Sequence, residues 1–202
     1  GMRDLCDEYN IALIYDEVIT GFRLSLGGAQ EYFNVKPDLS IFAKAIASGY
    51  PLSVICGKKE WMDLIEKSRV IHAGTMNSSN ANVAAALATI QTLEKEDPYN
   101  RFFKLGQQLM DGLKQAASAT NQSLLVQGPG PMFNVAFTEL NKATYYRDTL
   151  TFDKVKLSKF ISGMHDNGVR IIGRGLWYIS AAHTEEDIQF AIEKAEKVLK
   201  TI

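Results

Sequence analysis

One short apolar run that ends in two acids constrains the fold of this chain more than any other feature. Residues 11–15 are Ile-Ala-Leu-Ile-Tyr, and Asp16 and Glu17 follow them directly. Such a run is typical of a buried β-strand, and two further apolar runs, at residues 39–43 and 53–56, follow it along the chain. Helical patterns alternate with these runs, as they do in a sheet that is covered by helices. The first part of the chain is therefore predicted to be an α/β domain.

The pattern changes after a long alanine-rich helix, predicted over residues 79–96, which Asp97-Pro98 interrupts. The elements predicted beyond that break are helices over residues 99–119 and 152–166, strands at residues 123–126, 133–137, 169–172 and 177–180, and a last helix that Thr184 and Asp187 cap. We therefore place one domain over residues 1–97 and a small α+β C-terminal domain over residues 98–202.

The charge balance and the cysteine content exclude several kinds of partner. With 22 basic and 23 acidic side chains the net charge is −1, which leaves no basic field for nucleic acid and no charged block for a membrane surface. No apolar run approaches the roughly 20 residues that cross a bilayer. Cys6 and Cys56 are too few for a disulfide framework, and neither the cysteines nor the three histidines have the spacing of a metal site. The sequence therefore indicates a reduced, cytoplasmic protein with no metal, nucleic-acid or membrane partner.

Three polar elements could carry chemistry. Ligands of open α/β sheets gather outside the carboxyl ends of strands, so Asp16 and Glu17 are either ligand groups or hydrogen-bonded structural carboxylates. Lys44 follows the second apolar run, where desolvation would make its amine nucleophilic; alternatively its stem packs while the ammonium reaches water. Residues 72–80 are small and polar and precede the long helix, whose N-terminus could bind a phosphate or could be capped by Ser78 or Ser79.

A strand that ends in two acids is also found in P-loop nucleotide hydrolases. That interpretation requires an upstream loop of the form G-x-x-x-x-G-K-S/T, which this chain does not hold. Gly57-Lys58-Lys59 has neither the earlier glycine nor the hydroxyl residue. The P-loop hypothesis is therefore weakened.

Several motifs, taken in order, resemble the signature of class III aminotransferases, which are pyridoxal-phosphate (PLP) enzymes of fold type I. The motifs are YDEVITGFR at residues 15–23, GGAQ at 27–30, PDL at 37–39, AKAIASGYP at 43–51, HAGT at 72–75 and SAAHTEEDI at 180–188. The likeness is strongest to the glutamate-1-semialdehyde aminomutase branch, and it spans essentially all 202 residues. It implies an α/β fold: the C-terminal part of a PLP-binding large domain, with a mixed, mostly parallel sheet, followed by a small α+β domain.

The resemblance implies a role for each of four residues. Lys44 would link covalently to PLP, and Asp16 would pair with the pyridine nitrogen and keep it protonated. Val18 would pack against one face of the ring, and Thr75 would bind the cofactor phosphate from the neighbouring subunit. The active site would therefore lie at the interface of a homodimer. Its substrates would be a small-molecule amino donor and a keto or aldehyde acceptor, or a single molecule in a mutase.

Two positions depart from the family pattern. Many members have Gln after Asp-Glu-Val, whereas this chain has Ile19, which is closer to the methionine of the aminomutase branch. Residues 171–177 replace a stretch that carries a glutamate in the aminomutases. Arg174 in this stretch could bind a substrate carboxylate as a bidentate fork, although it does not fall on the usual arginine position of the family. The alternative for Arg174 is a surface or interface ion pair.

The resemblance also implies that a preceding segment of comparable size is missing. That segment would carry the phosphate loop, the aromatic residue that stacks on the cofactor and the start of the sheet. The chain is therefore expected to be roughly the C-terminal half of a larger dimeric enzyme, cut near Gly1-Met2. It would be either a partial PLP-dependent transaminase or aminomutase, or a catalytically silent folded fragment that acts as an assembly module.

Overall fold

The chain divides into two compact units, which we describe separately. The computed structural model describes all residues from 1 to 202. The first unit is Gly1–Asp97 and the second unit is Pro98–Ile202. None of the helices combines the length and the apolar character that crossing a membrane requires.

The first unit is a three-stranded sheet with four α-helices and one 3-10 helix. The strands are β1 (Ile14–Glu17), β2 (Leu39–Phe42) and β3 (Val54–Gly57), and the α-helices are α1 (Met2–Glu8), α2 (Ala29–Tyr32), α3 (Lys59–Glu66) and α4 (Asn80–Glu96). The 3-10 helix, Lys44–Ala47, begins two residues after β2. β2 lies in the middle of the sheet, parallel to β1 and antiparallel to β3, so the sheet is mixed.

The core of the first unit is small and lies beneath the end of β2. Its members are the buried residues Phe42, Ile46, Ala47 and Ala86, with the partly buried Phe22, Leu52, Val54 and Ile90 packed against them. Helix α4 supplies Ala86 and packs on the 3-10 helix. The core thus supports the stretch of chain that directly follows β2.

β1 is an edge strand of this chain rather than the buried strand that the apolar run predicts. It begins at Ile14 instead of residue 11, and it pairs with β2 alone. Ile14 is 53% exposed, and Ile11, which precedes the strand, is 58% exposed. The run therefore predicts the strand correctly, but residues of this chain do not bury it.

The second unit combines an antiparallel sheet with three α-helices. The strands are β4 (Leu124–Gln127), β5 (Met132–Phe137) and β6 (Leu176–Tyr178), the α-helices are α5 (Tyr99–Ala119), α6 (Lys154–Asp166) and α7 (Glu185–Leu199), and a 3-10 helix covers Tyr146–Thr151. β5 is the central strand and is antiparallel to both neighbours. α5 packs against α7 and β4, and α6 packs against α7 and β5.

The second unit has an extensive apolar core between its sheet and its helices. Phe133 of β5 stacks on Trp177 of β6 with ring centroids 5.9 Å apart, and Phe137 meets Phe160 of α6 edge-on at 5.8 Å. All four rings are buried. Each ring buries a large apolar area, and paired rings contribute a further favourable interaction with one another. This packing fixes the sheet of the second unit against its helices.

The strand predicted over residues 169–172 does not form. Helix α6 is followed by Gly168 in a left-handed conformation, and the Val169 N–H donates to the Met164 carbonyl at 2.9 Å. The carbonyl of Ile171 lies 2.8 Å from Nε2 of His165. Helix-capping and side-chain groups thus satisfy this backbone locally, and only the isolated bridge between Ile172 and Leu176 remains of the predicted strand.

Candidate active site

Two strands of the first unit end side by side, at the kind of edge where open α/β sheets bind ligands. In the parallel pairing of β1 with β2, Asp16 lies opposite Ile41 and Glu17 lies opposite Phe42. Lys44 is the second residue after β2 and begins the 3-10 helix. Neighbouring strands are about 4.8 Å apart. The register therefore brings the strand end with the two acids and the stretch that carries Lys44 to the same edge.

Lys44 has a backbone conformation that residues other than glycine rarely adopt. Its φ is +48°, in the left-handed region. This conformation costs roughly 1–2 kcal/mol for an L-residue, and such strain is concentrated at functional sites. Ile46 and Ala47 are buried and hold the 3-10 helix in place, whereas Lys44 itself is exposed. The apolar neighbours therefore fix the backbone of Lys44 and leave its amine accessible.

Asp16 presents a carboxylate that no cation of this chain neutralises. The residue is exposed, and its Oδ1 accepts a hydrogen bond from the backbone N–H of Val18 at 3.0 Å. None of the ion pairs in the chain involves Asp16. The Val18 N–H orients the carboxylate, and its remaining lone pairs can accept a hydrogen bond from a cationic group.

Glu17 is the structural counterpart of Asp16. Its side chain is fully buried, and its two oxygens accept hydrogen bonds from the backbone N–H groups of Ala29 and Gln30, each at 2.9 Å. The hydroxyl of Thr20 also donates to this carboxylate. A buried carboxylate needs such donors because it has lost its water. Of the two interpretations open for the acid pair, the structural one describes Glu17, and Asp16 remains open to solvent.

The segment between β1 and α2 packs closely on β2. A Cβ on Gly21 would lie 2.4 Å from the Phe42 ring, so only glycine allows this approach. The ring of Phe22 lies 5.5 Å from that of Phe42, centroid to centroid, and Phe22 has a φ of +58°. The segment, which begins with Val18, therefore contacts the end of β2 closely and has a left-handed backbone conformation at Phe22.

Thr75 lies in the turn that precedes α4. Ser79 is the N-cap residue of α4, but its side chain makes no capping hydrogen bond. Asn82 of α4 donates from Nδ2 to the Pro51 carbonyl at 2.7 Å, which ties the helix to the loop after Lys44. Thr75 is exposed, and no hydrogen bond joins it to Asp16 or Lys44 within the chain.

Arg174 lies in the second unit, in the turn that the bridge between Ile172 and Leu176 closes. Its carbonyl accepts a hydrogen bond from Nδ2 of Asn134 at 2.7 Å, so its backbone is held by the sheet. The residue is exposed. Its guanidinium forms none of the ion pairs found within the chain.

Asp38 anchors the opposite end of the first sheet, just before β2. Its buried carboxylate accepts hydrogen bonds from the Lys58 ammonium at 2.6 Å, the Leu13 N–H at 2.7 Å and the Arg3 guanidinium at 2.8 Å. These donors, Lys58 foremost, hold the pKa of Asp38 well below its usual range. One carboxylate thus joins α1, the residue before β1 and the residue after β3, at the end of the sheet opposite Asp16 and Lys44.

Comparison with known proteins identifies the family. The family model described as aminotransferase class-III matches residues 1–199, and the chain belongs to this family. The resemblance that the motifs indicate is thereby confirmed. The mixed α/β architecture is that of the PLP-dependent transaminases: a structure described as a transaminase with PLP bound superimposes with a TM-score of 0.85 at 25% identity, over 98% of this chain and 46% of that one.

Two glutamate-1-semialdehyde 2,1-aminomutases are among the similar sequences. The protein of Desulfatibacillum aliphaticivorans is 37% identical over 205 residues, which cover 100% of this chain and 48% of the relative. The protein of Clostridium botulinum is 39% identical over 191 residues, or 93% of this chain and 45% of the relative. The chain thus spans about half the length of the curated relatives that it matches.

Proposed function

We propose that this chain is part of a PLP-dependent enzyme that transfers an amino group from a donor to a keto or aldehyde acceptor, or within one molecule, as in an aminomutase. The β1–β2 register carries the proposal, because the strand that ends in two acids and the strand before Lys44 finish at one edge. Membership of the class-III aminotransferase family supports it.

The chemistry of four candidate residues fits PLP. The cofactor offers an aldehyde, a pyridine nitrogen, a flat ring and a phosphate. The Lys44 amine matches the aldehyde, and the Asp16 carboxylate matches the pyridine nitrogen. The apolar side chain of Val18 matches the ring, and the Thr75 hydroxyl matches the phosphate. The Lys44 amine is exposed and the Asp16 carboxylate has no cationic partner, so both are available. When bound, PLP supplies an electron sink for charge that develops on the substrate α-carbon.

Lys44 has two proposed tasks. Its amine would hold the cofactor through a covalent bond. Once released from that bond, the amine would take the proton from the substrate α-carbon as general base and deliver it again as general acid. The left-handed backbone at Lys44 keeps the start of this side chain in one place while the amine moves.

The other residues bind and orient. Asp16 holds the proton on the pyridine nitrogen, and Val18 covers one face of the ring and excludes water from it. Thr75 binds the cofactor phosphate of a neighbouring subunit, which makes the working enzyme a homodimer with shared sites. Arg174 binds a substrate carboxylate through its planar guanidinium. The cytoplasm is the proposed compartment, and the free thiols of Cys6 and Cys56 agree with it.

Reductive labelling tests the proposal. PLP is added to the chain, the visible absorption that accompanies its condensation with a lysine is recorded, and borohydride then fixes the product for peptide mapping by mass spectrometry. We expect the label on Lys44. Lys36 is a matched control, because it is also exposed but precedes β2, whereas Lys44 follows it.

The variants separate the possible outcomes. Lys44→Ala should lose the visible band and the label, whereas Lys36→Ala should retain both. Equal labelling of several surface lysines, or a label that persists on the same peptide in Lys44→Ala, would contradict the proposal.

A second candidate function is an assembly module without catalytic activity. The apolar surface of the first unit favours it, since Ile71, Met76 and Leu87 are 89%, 73% and 55% exposed. Analytical ultracentrifugation with and without PLP distinguishes the two candidates. A chain that self-associates and never labels at Lys44 is an assembly module.

A further inference from the structure

Glu17 is a buried ionisable group to which the proposed chemistry gives no task. We infer that Glu17 is a positioning residue: its carboxylate holds the turn after β1 so that the Val18 N–H orients the carboxylate of Asp16. The inference rests on the proposed function, because it concerns the group that would hold the pyridine nitrogen.

The contacts of Glu17 lie at both ends of the segment that joins β1 to α2. At the near end, the Thr20 hydroxyl donates to its Oε2 and the Gly21 N–H donates to its backbone carbonyl at 2.9 Å. At the far end, Ala29 and Gln30 donate to Oε2 and Oε1 from their backbone N–H groups. One fully buried side chain thus connects the two ends of this segment through hydrogen bonds.

The segment passes close to this carboxylate at Gly28. A Cβ on Gly28 would lie 2.6 Å from Oε2 of Glu17, and Gly28 has a φ of +77°. A glycine is therefore required where the segment passes over the carboxylate. No cation approaches Glu17, so the segment itself supplies the donors that offset its burial.

The turn that Glu17 closes also supplies the hydrogen bond that orients Asp16. Val18 lies between Glu17 and Thr20 in the chain, and its N–H donates to Oδ1 of Asp16 at 3.0 Å. Since no other group of the chain holds the Asp16 side chain, its direction depends on where the turn places this N–H. A catalytic group must be held by neighbours that are themselves fixed.

The test compares two buried carboxylates of the first unit. Glu17→Gln replaces one of the two acceptor oxygens at the carboxyl end of β1 with an NH2 donor, so at least one of the groups that donate to Glu17 loses its acceptor. Asp38→Asn is a matched control, because it makes the same change in a buried carboxylate that directly precedes β2. Far-ultraviolet circular dichroism establishes that each variant is folded. The dissociation constant for PLP and the visible circular dichroism per bound PLP are then measured for the full chain.

We expect Glu17→Gln to bind PLP roughly tenfold more weakly than the wild type, with a smaller visible dichroic band per bound cofactor. Asp38→Asn should keep both values. Unchanged PLP affinity in Glu17→Gln, or an equal loss in Asp38→Asn, would overturn the inference and leave the proposed function standing. A wild-type chain that does not label at Lys44 overturns both.

A milder pair of variants keeps the test decisive if Glu17→Gln does not fold. Thr20→Val removes one donor to the carboxylate, and Thr20→Ser keeps the hydroxyl. We expect Thr20→Val to weaken PLP binding and to reduce the dichroic band, and Thr20→Ser to restore both. If both Thr20 variants bind like the wild type, Glu17 has no positioning role.

Discussion

The two units are of similar length but have very different cores. Six of the buried apolar residues belong to the first unit and twenty-three to the second. The exposed large apolar residues show the reverse, with fifteen in the first unit and seven in the second. Because apolar burial is the dominant favourable contribution to folding, the second unit has the core of an independent domain and the first unit does not.

Backbone strain follows the same division. Eight of the nine residues other than glycine with a positive φ, including Phe22 and Lys44, belong to the first unit, and Asn121 alone belongs to the second. The unit that carries the proposed cofactor site thus combines a thin core with strained backbone. Proteins commonly store strain at functional sites and stabilise it elsewhere. The comparison thus separates the strained backbone, which lies mostly in the first unit, from the large apolar core, which lies in the second.

The largest effect on stability should come from the second unit. Gly106→Ala would bring a Cβ within 1.8 Å of the Gly130 carbonyl oxygen, which is backbone and cannot rotate away. We expect the free energy of unfolding of this unit to fall by roughly 3 kcal/mol. Gly173→Ala is the control, because nothing lies within 4 Å of its added Cβ. Native-state hydrogen exchange with mass spectrometry measures the protection of each unit separately. Equal protection of the second unit in the two variants would contradict the expected dependence on its core packing.

Asp38→Asn should act on the first unit and depend on pH. At pH 7 we expect a loss of about 1–2 kcal/mol, because a buried carboxylate with three donors is weakened. The pKa of Asp38 is lowered by folding, so its contribution is complete above the unfolded value of about 4 and is lost as the pH falls below it. Urea unfolding of both forms between pH 7 and 3 checks the sign. A difference that stays constant or grows at low pH would contradict it.

Lys44→Gly should stabilise the first unit while it removes the proposed chemistry. Glycine adopts a φ of +48° without the left-handed penalty, but it also increases the entropy of the unfolded chain, so the net gain should be about 0.5–1 kcal/mol. Lys44→Ala lacks the amine and keeps the strain, so it should show no such gain. Thermal unfolding of the two variants measures the difference. Equal stabilities would mean that the left-handed penalty at residue 44 is no larger than the entropy that glycine adds to the unfolded chain.

The smallest effect on stability should come from the exposed apolar residues of the first unit. Leu87→Gln should change the free energy of unfolding by less than about 0.5 kcal/mol, because Leu87 is already 55% exposed. The same variant should reduce self-association in sedimentation velocity if this surface binds another chain. Val155→Gln, at a site 70% exposed in the second unit, is the control. An equal response of both variants would remove the distinction between the two surfaces.

Local patterns predicted much of the second unit. The helix predicted over residues 99–119 has those bounds as α5, and the cap predicted at Thr184 forms, with its hydroxyl accepting from the Asp187 N–H. Such signals are local, since a helix and its cap involve residues three or four positions apart. The strand predicted over residues 169–172 failed because His165 and the end of α6 satisfy its backbone, which the apolar pattern cannot show.

The site was predicted in part. The acid pair, the lysine and the threonine could be found from their order in the sequence, and their roles remain predictions. Adjacent residues of a strand point to opposite faces, so Asp16 and Glu17 are expected to differ. Which of the two is buried could not be predicted, because the donors to Glu17 come from Ala29 and Gln30. The left-handed backbone of Lys44 left no signal either, since glycine is absent from that position.

The sequence by itself determined the family, the order of the motifs and most of the elements, because these depend on residue types at short spacings. Only the tertiary structure decided that β1 is an edge strand of this chain, that the Glu17 carboxylate binds the start of α2 and that Asp38 joins three elements. Each of these facts depends on groups brought together from distant parts of the chain, and burial is a property of that whole arrangement rather than of any one residue.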